Sequence, residues 1–204
     1  MAKLKAPLLS LGASGALGKA IVFFDWKGLD VAREYVIPAN PKTAPQLTQR
    51  GYMIKAVDTI HQFQARPADP FNPTDKMAYA LWGSTYSTPR TWFNQAVKSW
   101  VDLKVKGKIP AIFGASTITE GDTKLTIKLN HMPESSLITN GKLWYGTSKT
   151  ALIHSIDTTM AALGTGKDIT GLTNGVKYFV QFRSTLPDTF AGNKSGIYYG
   201  TPHA

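Results

Sequence analysis

The chain of 204 residues contains no cysteine. That removes disulfides, thiolate nucleophiles and cysteine-based metal sites, and mildly favours folding in a reducing compartment. Long apolar runs are also missing. The opening Met1-Ala-Lys-Leu-Lys-Ala-Pro-Leu-Leu-Ser10 is leader-like, but Gly12, Gly15, Gly18 and Lys19 interrupt any apolar segment behind it. The expectation is a soluble chain with no cleaved signal and no membrane span. The histidines, His61, His131, His154 and His203, are far apart and form no His-x-x-x-His pair, so no metal site is expected. A Gly-x-Ser-x-Gly nucleophile elbow is absent. Glu120 and Asp122 flank a glycine in a hairpin-like turn, where solvated acids are ordinary. No catalytic residue and no cofactor are expected. Acidic side chains are scarce, 13 against 23 basic ones, for a formal charge of +10. Such an excess favours acidic partners, nucleic acid among them. The basic residues are scattered, however, and the densest run is Lys104-Val-Lys106-Gly-Lys108.

What is present reads as globular, with 43% hydrophobic and 18% charged residues. Residues 1–42 are glycine-rich and extended, with strand candidates at Ile21–Phe24 and Val31–Ile37, a turn at Trp26-Lys-Gly28, and a stop at Pro38-Ala-Asn40-Pro41. Residues 43–106 read as a three-helix unit. Thr43-Ala-Pro45 starts the first helix, which carries Leu47, Ile54, Val57 and Ile60 at helical spacing. Asn72-Pro73-Thr-Asp75 starts the second, with Met77, Leu81 and Trp82 on one side. Thr88-Pro89 starts the third, where Trp92, Phe93, Ala96 and Trp100 share a core-facing stripe. Lys104 to Pro110 reads as a linker.

From residue 110 to 204 the pattern is β. Candidate strands are Ile112–Thr119, Lys124–Asn130, Leu143–Gly146, Ala151–Ile156, Val176–Arg183 and Ile197–Gly200. In Val176–Arg183, Val176, Tyr178, Val180 and Phe182 fall on one face, while Lys177, Phe179, Gln181 and Arg183 fall on the other, as in a half-buried strand. Leu172 and Tyr178 have the spacing of a corner between two sheets.

Leu172-x-Asn174-Gly175-x-x-Tyr178-x-x-x-Phe182, followed by Gly192-x-x-Ser195, resembles the closing half of a fibronectin type III or related immunoglobulin-like domain. The resemblance implies an antiparallel β-sandwich in which Leu172 and Tyr178 are structural. Leu125-Thr-Ile127-Lys-Leu129 stands where the family usually has a buried tryptophan, so a plain sandwich of another topology is the alternative. A second series comprises Gly15-x-x-Gly18, Trp26-Lys-Gly28, Arg33, Pro38, Asn40-Pro41-Lys-Thr43-x-x-Gln46-x-x-Arg50, Trp82, Trp92-Phe93 and Trp100. It resembles small bacteriophage and prophage structural-module proteins. That resemblance implies a non-enzymatic virion component, of decoration, collar or tail-associated type, made in the host cytoplasm. It would associate with sister copies and other virion proteins, with no membrane involved. Phe23, Phe24, Trp26 and Arg33 are the expected assembly contacts, with intramolecular core as the competing role for the aromatics.

The expected fold class is α+β: an extended arm with short strands, a three-helix unit, then the β-sandwich. One competing constellation is present. Gly12-Ala-Ser-Gly15-Ala-Leu-Gly18, Tyr145-Gly-Thr-Ser-Lys149 and Ser135 or Ser136 resemble the NAD(P)-binding loop and catalytic groups of short-chain dehydrogenases. That chemistry needs a helix after the glycine loop, to face pyrophosphate, and a helix presenting the tyrosine and lysine together. Phe23-Phe-Asp-Trp-Lys-Gly28 breaks the first helix, and the β-rich surroundings of Tyr145 argue against the second.

Overall fold

Four helices and three antiparallel sheets make up the described residues of the computed structural model, which are 2–3, 15–37, 42–133 and 138–204. Gly12, Pro38, Asn40, Pro41, Ser135 and Ser136 lie outside them. The chain divides at Thr43 into two units. In the first, strands β1 (Ala2–Lys3), β2 (Gly15–Leu17), β3 (Ile21–Trp26) and β4 (Leu29–Glu34) form one sheet in the order β1-β4-β3-β2. The Trp26-Lys-Gly28 turn works because Lys27 and Gly28 both take left-handed backbone angles, φ 56° and 74°. Two such residues in a row match the twist of the strands they join. Asp25 Oδ1 adds an acceptor for the Gly28 N–H at 2.9 Å. Where the sequence suggests an extended arm, β2, β3 and β4 pair as a meander and β1 adds beside β4.

The second unit, residues 44–204, begins with α1 (Ala44–Gln64), α2 (Pro73–Gly83) and α3 (Trp92–Val105). α2 starts where the sequence places it. The Asn72 side chain accepts from the Asp75 amide, the Asp75 carboxylate accepts from the Asn72 amide, and Pro73 takes the first turn, where no amide is needed. α3 starts later than Pro89, because Thr91 supplies the capping oxygen to the Asn94 amide at 3.3 Å.

Strands β5 (Ile112–Gly121), β6 (Lys124–Met132), β7 (Asn140–Gly146) and β8 (His154–Thr159) follow, then a short helix α4 (Met160–Thr165), β9 (Lys167–Thr170), β10 (Tyr178–Leu186) and β11 (Tyr198–Gly200). They form two sheets, β5-β6-β9 and β11-β10-β7-β8. Leu125, Ile127, Leu129 and Ile169 from the first sheet and Leu143, Val180, Phe182 and Tyr198 from the second share one buried cluster. A second cluster joins Ile60, Phe63, Tyr79, Trp82 and Trp100 of the helices to Ile112, Ala115 and Ile197, with Phe179 packed against it. The aromatic stripe is therefore core, and each fully buried large side chain contributes about 1.5–3 kcal/mol.

Two expectations change here. β10 is covered on both faces, because its outward-facing Gln181 is 2% exposed and Phe179 meets the helical cluster. The Lys104–Pro110 stretch is tied down at both ends, by Lys108 N–H to Leu103 O at 3.1 Å and Ile109 N–H to Thr189 O at 2.8 Å. No helix among the described residues is long and apolar enough to cross a membrane.

Asp75 is fully buried and links the helices to both sheets. One carboxylate oxygen accepts from the Asn72 and Ala115 amides, both at 2.8 Å. The other accepts from the Ser116 amide at 3.2 Å and the Tyr198 hydroxyl at 3.0 Å. Ala115 takes φ 53° at a bulge in β5, which turns two successive amides toward the carboxylate. Asp75→Asn replaces one acceptor oxygen with an amide donor facing donors. The expected loss is about 3 kcal/mol or more, read as the shift in urea midpoint. A loss under about 1 kcal/mol would show that this carboxylate is not a keystone.

Candidate assembly surface

Strand pairing decides which side chains of the amino-terminal sheet act together, because directly opposed residues share a face. Val22 pairs with Arg33, Phe24 with Val31 and Trp26 with Leu29. These six form one face, which Ala16 extends through its pairing with Val22. Ile21, Phe23 and Asp25, paired with Glu34, Ala32 and Asp30, form the other.

Of the four expected contact residues, Phe24, Trp26 and Arg33 are thus brought together, with the Arg33 guanidinium carbon 5.3 Å from the centre of the Phe24 ring. Phe23 is on the opposite face. The strand register adds Leu29 and Val31, which the sequence reading left out because they follow the turn and their partners depend on its length. Val31 is buried, whereas Trp26 is 52% and Leu29 46% exposed. A cation over an aromatic ring beside a row of apolar side chains is a combination enriched at protein interfaces.

The corner residues are in the second unit. Leu172 is buried, and the Tyr178 hydroxyl accepts from the Thr173 amide at 3.2 Å. This bond spans the turn between β9 and β10 and fixes the path of the chain into β10.

The described groups of the dehydrogenase-like constellation lie in secondary structures that do not suit them. Gly15 is in β2 and Gly18 in the turn to β3, so a strand follows where that chemistry needs a helix. Tyr145 is in β7, while Lys149 lies in the following turn and donates to Ser84 Oγ at 2.9 Å. Two buried tyrosines, Tyr79 and Tyr198, have hydroxyls held well above the ordinary tyrosine range. For each the main cause is burial, to which the Asp75 charge adds. They remain protonated, Tyr198 donating to Asp75 and Tyr79 accepting from the Phe113 amide at 3.2 Å. Both are structural. Among the described residues no cluster of histidine and carboxylate groups has the makings of a metal site.

Replacing Trp26 and Leu29 together with serine removes two half-exposed apolar side chains. The expected change in thermal stability of the isolated chain is below about 1 kcal/mol, the range of one cross-strand pair. Melting followed by circular dichroism checks it, and a cooperative loss of several kcal/mol would assign both side chains to the chain's own core.

No protein-family model matches the chain, and no curated protein is detectably similar to it.

Proposed function

We propose that this chain is a non-enzymatic structural protein of a bacteriophage virion, in which the amino-terminal sheet docks on the particle or on sister copies and the second unit is displayed. The observation that carries the reading is the half-exposed face of that sheet, where Phe24, Trp26 and Leu29 stand beside Arg33. Apolar side chains left in water lose the burial contribution that a docking partner restores, about 25 cal/mol per Å² of apolar surface covered. The likeness of the Gly15-to-Trp100 series to phage structural modules supplies the biological setting.

The display role rests on a further part of the reading, that the two sheets of the second unit form an immunoglobulin-like sandwich of fibronectin type III character. Three features support it. The sheets contain three and four strands, in the orders β5-β6-β9 and β11-β10-β7-β8. Their facing side chains fill one cluster. The Leu172–Tyr178 corner carries the backbone-to-hydroxyl bond typical of such folds. A sandwich of this kind is a rigid platform with loops at its ends.

The test is quantitative mass spectrometry of density-purified particles from the source. The expected result is this chain at stoichiometric abundance, with Trp26→Ser/Leu29→Ser protein expressed normally but depleted from particles at least about tenfold, as loss of two interface anchors requires. Clean particles alongside abundant cellular protein would refute the virion role. Incorporation unaffected by the double change would refute this face as the contact.

A further inference from the structure

The described residues contain several cations with no carboxylate beside them. Lys149, Arg183 and Lys194 line one small cavity of about 210 Å³, together with Trp82, Thr85 and Gln181, and no acidic residue lines it. The three come from separate parts of the second unit: the turn after β7, the strand β10, and the loop before β11. All are half-buried. None makes an ion pair among the described residues. Arg183 and Lys194 are moreover direct partners in an isolated antiparallel bridge, an arrangement in which like charges repel.

The cavity is also preformed. Asn193, fully buried, donates from Nδ2 to Ile109 O and Phe190 O and accepts from the Ala111 amide. On the other side Ser195 N–H reaches Phe182 O at 3.0 Å, and Phe182 N–H returns a bond to Ser195 Oγ. Lys194 is therefore held between two anchored residues. Arg183 is aimed by Gln181 Oε1, which accepts from its Nε at 3.1 Å, and by the Trp144 ring 4.8 Å away. Among the described residues its terminal nitrogens make no hydrogen bond. Burial, and then the charges of Arg183 and Lys106, lower the Lys194 pKa. The crowding of charge is thus felt at the ammonium itself.

We propose that this cavity binds a compact tetrahedral oxyanion, a phosphate or sulfate group. Three cationic side chains line it and can donate to the oxygens of such an ion, and arginine offers the paired N–H geometry such groups accept. The volume is below the roughly 300–1,000 Å³ usual for organic ligands, which favours a small ion or the charged end of an ester. This site is independent of the amino-terminal sheet and of the virion reading.

The test is isothermal titration of the full chain at constant ionic strength, with sodium chloride replaced stepwise by phosphate or sulfate, and in parallel by phosphoserine or glucose 6-sulfate. Saturable binding by an inorganic ion is expected. Lys194→Gln and Arg183→Lys should each weaken it about tenfold, the loss of one charge-assisted bond. Lys124→Gln, which removes a cation paired with Asp168 in the other sheet, should leave it unchanged. Tighter binding of the esters assigns the cavity to an esterified group, and weaker binding assigns it to the free ion. Because Arg183 also stacks on Trp144, Lys149→Gln provides a second variant should Arg183→Lys misfold. Heat with every sodium salt alike, or binding that survives Lys194→Gln and Lys149→Gln, would overturn the proposal. So would binding confined to an oligonucleotide, which would mark a diffuse polyanion surface in place of a compact site.

Discussion

The second unit depends on a single buried carboxylate. Taking an ion out of water is costly unless hydrogen bonds replace its solvation. Asp75 recovers that cost through four donors drawn from the start of α2, two successive amides of β5 and the hydroxyl of Tyr198 in β11. Much of the local backbone follows from this requirement. β5 must bulge to turn two amides inward, Ala115 must take a left-handed φ of 53°, and position 114 must be glycine, since a Cβ there would lie 2.6 Å from the Phe71 ring. Tyr198 must stay protonated to donate, and its burial ensures that it does.

The same region explains how two sheets are joined without pairing their edges. β5 and β11 end their respective sheets. Exposed strand edges invite pairing with other chains, but the Phe113, Ala115 and Ser116 amides of β5 donate to Tyr79 and Asp75, and the residues flanking β11 are bonded too. Ile197 N–H donates to Ala78 O of α2 at 3.0 Å, and Thr201 N–H donates to a Glu120 carboxylate oxygen at 2.6 Å. The first of these needs close approach, because a Cβ on Gly196 would lie 2.7 Å from Ala78. Helix α2 thus closes one end of the seam and contributes its Asp75 beneath it. The helices are part of the same folded unit as the strands, and the short stretch between α3 and β5 marks only a change of secondary structure.

Much of this could be read from local sequence. Asn72-Pro73-Thr-Asp75 announced a helix start, and the alternation in Val176–Arg183 announced β10. Leu172 and Tyr178, singled out by their spacing, flank the turn between β9 and β10, where the Thr173 amide donates to the Tyr178 hydroxyl. Features set by distant partners were not legible. α4 and β9 are six and four residues long, too short to show a period, and their stability comes from packing Leu163 and Ile169 into the first core. Gln181 and Phe179 looked solvent-facing because nothing local shows that helices cover that side of β10. Asp75 was visible as a capping residue, but its bonds to Ala115, Ser116 and Tyr198 cross 40 to 123 positions of the chain. In the amino-terminal sheet alternation along Ile21–Trp26 already sets Phe23 opposite Phe24 and Trp26, whereas the placement of Arg33 beside them required the pairing register.

Asp75 and the Lys149–Arg183–Lys194 cavity show opposite treatments of charge within one fold. The buried anion is matched donor by donor, as stability demands of an ion removed from water. Among the described residues the three half-buried cations have only Ser84 and Gln181 as polar partners for two of them, and no carboxylate lines their cavity. A surface selected for stability alone would separate Arg183 and Lys194 or place an acid between them, since opposed like charges are unfavourable. Their loop is nevertheless fixed by the buried Asn193 and Ser195 bonds, so the chain cannot relax to part them. Rigidity that maintains repulsion has a physical use when an anion arrives, because the donors need no reordering to meet it. The cavity's charge is therefore best understood as one half of a pair.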